Sequence, residues 1–226
     1  VSGAPALPAL KVCGITRRAD AEAASGAGAA FLGVVLAPGG RRTVAAEDAG
    51  TLLAGLPARR VGVFVDAGAD ALRRAAEAAG LHVLQLHGDE PPELLRELGE
   101  EGRWTVWKAL RPRDAAELRA GVERYAGVAD ALLLDGFSAR AHGGTGTAFP
   151  WEEVAAVRGE IPAGLPLVVA GGMRADNVAR AVALLRPDVV DVSSGVESAP
   201  GIKDPSAIRT FAAALRAPQN DQQETA

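Results

Sequence analysis

The chain holds a single cysteine, Cys13, which excludes an internal disulfide framework and leaves no thiolate cluster for zinc. Its three histidines include no pair at metal-ligand spacing, so a metal site is not expected. No apolar run reaches the length needed to span a bilayer. Val1 to Pro8 lack a basic start followed by an apolar stretch, so no secretory signal is read there. An excess of positive charge is also missing. The formal net charge of −4 argues against nucleic acid or anionic membrane as the main partner, while leaving room for a local pocket that takes a small phosphate. A reducing, cytoplasmic setting fits these absences best.

What the chain does have is alternation. With 226 residues and 48% hydrophobic content it can bury a sizeable core. Short continuous apolar runs, the mark of parallel strands covered on both faces, fall near 10–13, 31–36, 60–65, 83–87, 104–109, 131–135, 167–170 and 189–193. Each is followed by a stretch of helical composition. Asp70 and Asp114 are candidate helix caps, and Gly26, Gly80 and Gly99 stand where helices should stop. Eight strand–helix units in one domain favour a (β/α)8 TIM barrel of the α/β class over an open doubly wound sheet. The open sheet's glycine triplet is absent after the first strand, which runs into Cys13-Gly14-Ile15-Thr16. The barrel is assigned to residues 10–217, with a short extension over 1–9 and a polar, frayed tail over 218–226.

The residues capable of chemistry sit at one end of these runs. The first strand ends at Cys13, the fourth in Gln85-Leu86-His87 and the sixth at Asp135. The seventh runs into Gly171-Gly172 and the eighth, through Asp191, into Ser193-Ser194-Gly195. Parallel α/β barrels collect their ligands at this end. Glycine lets backbone N–H groups approach an anion and serine adds hydroxyl donors, so the last two loops together read as a phosphate cradle. Either alone would read as a plain turn. Thr145-Gly146 in the long sixth loop could close over the same ligand.

Cys13 could be a small buried hydrophobe. Its place at a strand tip, with Lys11 two residues back on the same face, instead suggests a thiol whose thiolate a nearby ammonium would favour. Asp135 could be a turn cap, but a long glycine-rich loop follows it rather than a tight turn. Arg42, in Gly39-Gly40-Arg41-Arg42, is either a solvated charge or a planar partner for a substrate carboxylate. His87 and Gln85 share a strand face, as a satisfied core pair or as ligand-binding groups.

These motifs jointly resemble the phosphoribosylanthranilate isomerase family over roughly residues 10 to 216. The likeness rests on Lys11-Val12-Cys13-Gly14-Ile15-Thr16, Leu84-Gln85-Leu86-His87-Gly88-Asp89-Glu90 and Leu132-Leu133-Leu134-Asp135. It extends to Gly143-Gly144-Thr145-Gly146, Ala170-Gly171-Gly172, Asp191-Val192-Ser193-Ser194-Gly195-Val196-Glu197 and Pro200-Gly201-Ile202-Lys203-Asp204. The resemblance implies a cofactor-free Amadori rearrangement in tryptophan biosynthesis. N-(5-phosphoribosyl)anthranilate would become 1-(2-carboxyphenylamino)-1-deoxyribulose 5-phosphate, an aldose–ketose isomerisation. It implies Asp135 as general acid, Cys13 as general base, Arg42 on the anthranilate carboxylate, Asp191 near the substrate, and loops seven and eight on the phosphate. The quaternary state would be a monomer or homodimer. One departure lies in loop six, where the family often reads Gly-Thr-Gly-Lys-Thr-Phe-Asp-Trp and this chain has Gly144-Thr145-Gly146-Thr147-Ala148-Phe149-Pro150-Trp151.

Two rivals remain at this level. One is a histidine-pathway isomerase performing the same rearrangement on a larger bisphosphate. Against it, Val65-Asp66-Ala67-Gly68 and His87-Gly88-Asp89-Glu90 form an acidic rim where a second phosphate would sit. The other is a sugar-phosphate-binding barrel without catalysis, since fold does not guarantee chemistry.

Overall fold

The computed structural model describes residues 7–136 and 151–217, without the side chain of Glu153. Eight strands close a parallel barrel in sequence order: β1 (Ala9–Val12), β2 (Phe31–Val35), β3 (Arg59–Phe64), β4 (Val83–Leu86), β5 (Thr105–Leu110), β6 (Ala131–Asp135), β7 (Leu167–Ala170) and β8 (Val189–Val192). Closure comes from β1 pairing with β8, Lys11 opposite Asp191. Helices alternate with the strands: α1 (Arg18–Gly26), α2 (Ala46–Leu53), α3 (Ala69–Ala79), α4 (Pro92–Glu100), α5 (Ala115–Tyr125), α6 (Trp151–Ala156), α7 (Val178–Leu185) and α8 (Pro205–Arg216). The TIM-barrel expectation therefore holds. The sixth-loop motif through Thr145-Gly146, the tail over 218–226 and most of the expected N-terminal extension lie outside the described residues.

Local chemistry explains the helix ends, with two corrections. Asp114 caps α5 by accepting from the Glu117 N–H. Asp70 does not cap α3. Gly68 holds that position, and Asp70 instead meets Arg73 in the first turn. Gly80 stops α3 in the left-handed region, where a side chain would be strained. Gly26 and Gly99 lie inside the last turns of their helices, and the positive-φ glycines follow at Gly28 and Gly102. Asp204 caps α8 from the residue before Pro205.

The buried apolar side chains divide into two sets. The larger fills the space between barrel and helices, and the smaller lies inside the barrel around Phe31, Trp107, Leu133 and Val168. Phe31 and Trp107 meet at 5.1 Å between ring centroids. Strand alternation sorts one set from the other. In β1, Leu10 and Val12 pack under the helices, so Ala9, Lys11 and then Cys13 face inward. The same parity turns Gln85 and His87 of β4, Asp135 of β6, and Asp191 and Ser193 of β8 toward the axis. Polar groups thus replace apolar ones as the interior rises toward the C-terminal mouth.

Candidate active site

Cys13 follows β1, its N–H held by the Val192 carbonyl at 2.9 Å. Gly33 makes room for it, since a Cβ there would stand 2.8 Å from Sγ. Below it Lys11 Nζ meets Asp191 Oδ2 at 2.6 Å, with both side chains nearly or wholly buried. Burial alone would lower the pKa of Lys11, but Asp191 and Cys13 together raise it, so the ammonium stays charged. The expectation that Lys11 would favour the thiolate is corrected in its net sign. Burial pushes the Cys13 thiol above its ordinary range, Lys11 pulls it part of the way back, and Asp191 adds to the rise. The ammonium cannot serve the thiolate alone because it is shared with a carboxylate.

Asp135 ends β6, opposite Ala170 in the register with β7. His87 reaches it: Nε2 lies 3.1 Å from Asp135 Oδ2, and His87 Nδ1 lies 3.0 Å from Gln85 Nε2. With the amide nitrogen donating to Nδ1, the imidazole is the tautomer that donates from Nε2 to the carboxylate. His87 is therefore neither a core histidine satisfied by Gln85 alone nor an isolated ligand group. It joins Gln85 to the acid. Gln85 Oε1 and Asp191 Oδ1 are buried with no hydrogen-bond partner among the described residues, two acceptors on side chains that share the inner face of the barrel.

Loops seven and eight come together as expected. Gly171 and Gly172 both take positive φ, and a Cβ on Gly171 would strike the backbone of Gly136. A Cβ on Gly195 would strike the Met173 carbonyl, so the loops press backbone to backbone. A short 3-10 turn, Ser194–Val196, follows β8, and its first N–H groups lie beyond the reach of turn hydrogen bonds. Asn177 Nδ2 fixes loop seven by donating to the Gly172 carbonyl at 2.9 Å.

Arg42 passes beside Gly14, where a Cβ would also stand 3.0 Å from Ser193 Oγ. Its Nε and Nη2 donate to the two oxygens of Glu197 at 2.7 and 2.6 Å. Lys203 Nζ meets the same carboxylate at 2.9 Å and donates to the Ser193 carbonyl at 3.1 Å. Burial would raise the pKa of Glu197, but Arg42 and Lys203 overcome it and hold the carboxyl at about 2. Glu197 and Lys203 belong to an unforeseen antiparallel pair of short strands, β9 (Glu197–Ala199) and β10 (Ile202–Lys203). Both residues stand in motifs quoted for the resemblance, but apolar periodicity carried no sign that they would meet.

The acidic rim expected after the third and fourth strands is corrected in part. Glu90 is buried and paired with Lys108 at 2.7 Å, and it accepts from the Asp66 and Gly88 N–H groups. Asp66 and Asp89 keep the exposed acidic character of those loops. Among the described residues no group of three or more His, Cys, Asp or Glu side chains could hold a metal, and no helix is long and apolar enough to cross a membrane.

Comparisons with known proteins bear on the family and the fold. The model of the N-(5'-phosphoribosyl)anthranilate (PRA) isomerase family matches residues 10–214. The chain is 45% identical over 207 residues to the N-(5'-phosphoribosyl)anthranilate isomerase of Chromohalobacter salexigens, covering 89% of this chain and 91% of that protein. It is also 45% identical over 214 residues to that of Myxococcus xanthus, covering 92% and 95%. Among solved structures, the phosphoribosyl anthranilate isomerase of Thermotoga maritima superposes with a TM-score of 0.81 at 34% identity, covering 92% of this chain and 98% of that one. A further structure is a phosphoribosyl anthranilate isomerase in complex with reduced 1-(o-carboxyphenylamino)-1-deoxyribulose 5-phosphate, at 33% identity, TM-score 0.80 and the same coverage. With most of its length matched in sequence and in fold, the chain belongs to the N-(5'-phosphoribosyl)anthranilate isomerase family.

Proposed function

We propose that this chain catalyses the Amadori rearrangement of N-(5-phosphoribosyl)anthranilate in tryptophan biosynthesis, with Asp135 as general acid and Cys13 as general base. One observation carries the reading: an acid and a thiol end strands of one barrel, on its inner face and at its C-terminal mouth, beside paired loops suited to phosphate.

Asp135, as general acid, gives a proton to the furanose ring oxygen. The bond from that oxygen to C1 breaks, and the nitrogen lone pair forms the C1–N double bond of a protonated Schiff base. Cys13 as thiolate removes the C2 proton, and the electron pair flows through C1 to neutralise the nitrogen. The resulting enolamine takes a proton at C1 while its C2 hydroxyl loses one, leaving the ketone. Acid and base contributions of this type supply roughly 10²–10⁴-fold each. His87 holds the carboxyl of Asp135 by one oxygen, and Gln85 holds His87.

The remaining groups bind and orient. Gly171, Gly172, Ser193, Ser194 and Gly195 offer backbone and hydroxyl donors to the phosphate. Arg42 has two N–H donors on Glu197, and its other nitrogen edge, unbonded among the described residues, takes the anthranilate carboxylate. Asp191 Oδ1 and Gln85 Oε1 are acceptors for sugar hydroxyls. Pinning both ends of the substrate fixes C2 against the thiolate, and positioning can supply much of the rate. A cytoplasmic enzyme is the reading that best suits the free thiol and the phosphorylated substrate.

Turnover is followed by loss of substrate fluorescence. Cys13→Ser and Asp135→Asn are each expected to cut kcat by roughly a hundredfold or more while the reduced product analogue still binds. Near-normal turnover in either variant removes that residue from its role. Binding without turnover in the unmodified chain would return the idle sugar-phosphate barrel.

A further inference from the structure

The guanidinium of Arg42 has two edges able to take a carboxylate, and the structure fills one of them. Nε and Nη2 face Glu197, and among the described residues nothing bonds the edge formed by Nη1 and the second Nη2 hydrogen. Glu197 is itself held in place. Its side chain is 5% exposed, and it accepts from Lys203 Nζ at 2.9 Å and from the Gly201 N–H at 3.3 Å. Lys203, wholly buried, also donates to the carbonyl and hydroxyl oxygens of Ser193 at 3.1 and 3.3 Å. One continuous set of hydrogen bonds therefore runs from the Arg42 head to the loop after β8.

We propose that Glu197 is a positioning residue for Arg42, and that the Lys203–Glu197 pair sets the spacing between the carboxylate-binding arginine and the phosphate-binding loop. This rests on the reading of Arg42 given above. Glu197 cannot be a carboxylate binder, since like charges repel. Its bond to the side edge of Arg42 leaves the end edge in one fixed direction. Without the Glu197 charge, Arg42 and Lys203 would be neighbouring cations with nothing between them. Lys203 is enclosed and Arg42 is 32% exposed, so Arg42 is the one that moves outward. The coupling predicts a ligand-selective defect, which a merely structural ion pair would not produce.

The test is calorimetric titration of the whole chain with two ligands. One is reduced 1-(o-carboxyphenylamino)-1-deoxyribulose 5-phosphate, and the other is its counterpart made with aniline, which lacks the ring carboxylate. Glu197→Gln is expected to weaken the first roughly tenfold and the second less than twofold, and to raise KM with kcat within about threefold. Glu197→Asp, too short to meet both cations at once, is expected to give a smaller selective loss. It carries the test if Glu197→Gln does not fold. Equal weakening of both ligands, or unchanged or tighter binding of the first while Arg42→Ala loses it, overturns the proposal. Arg42→Ala binding both ligands normally would overturn the reading of Arg42 beneath it.

Discussion

Two of the buried lysine–carboxylate pairs in this fold, Lys108–Glu90 and Lys11–Asp191, differ in what is left over. Lys108 and Glu90 are each about 1% exposed, and every group they bring is used. Glu90 takes the Asp66 and Gly88 N–H groups and Lys108, while Lys108 also donates to the carbonyls of Leu86 and Gly88. The phenol of Tyr125 adds a bond to the Glu90 carbonyl, and its ring lies 5.3 Å from the Lys108 ammonium. Lys11 and Asp191 are nearly as deeply set, yet Asp191 Oδ1 has no partner among the described residues. A saturated buried pair ties two loops together. A pair with one acceptor to spare, on the inner face just below Cys13, is suited to receive a ligand.

The sharpest way to break this comparison is to remove one partner of the saturated pair. Lys108→Met leaves Glu90 charged, buried and short of its cation, which costs about 3–5 kcal/mol. Urea unfolding is expected to show that loss while the folded fraction keeps most of its kcat. If stability is unchanged, the Lys108–Glu90 pair is not what holds the third and fourth loops.

The unsaturated pair should fail differently. Asp191→Asn can still offer an oxygen to Lys11, but it then turns an N–H donor into the space where Oδ1 was an acceptor. The expected cost is about tenfold in kcat/KM, near 1.4 kcal/mol, from one hydrogen bond lost in the complex. Steady-state kinetics checks it. An unaltered kcat/KM would mean that the spare acceptor never meets substrate.

How much of this was legible in the sequence follows from the same physics. Short continuous apolar runs located all eight strands within a residue or so, because strands covered on both faces are built mostly from apolar residues. Cys13, Asp135, Gly171, Gly172 and Ser193 were legible because a polar or small residue at the end of an apolar run has few reasons to be there. The charge pairs were not. Lys11 with Asp191, and Glu197 with Arg42, are separated by 180 and 155 residues, and only closure of β1 on β8 brings them together. Glu90 read as part of an acidic rim for the same reason: its neutralising partner, Lys108, lies one strand further on, on the face of β5 that meets the helices. Helix caps fell between these cases, with Asp114 capping as its pattern suggests and Asp70 displaced by Gly68.

The smallest expected effect concerns the charge balance around Cys13. A base must lose its proton to act, and burial holds the Cys13 thiol above its ordinary range. In the free enzyme kcat/KM should therefore climb with pH along a limb that extends into the alkaline region beyond a normal thiol. Lys11 pulls the thiol down and Asp191 pushes it up, so their contributions oppose. Lys11→Met removes the downward pull and leaves a buried carboxylate without its cation. The limb is expected to move upward, because the cation that opposed the effect of burial is gone. Thiol alkylation rates against pH report the same group without turnover, and both profiles must move together. A limb that stays fixed while alkylation shifts would assign the rate-controlling proton to a group other than Cys13.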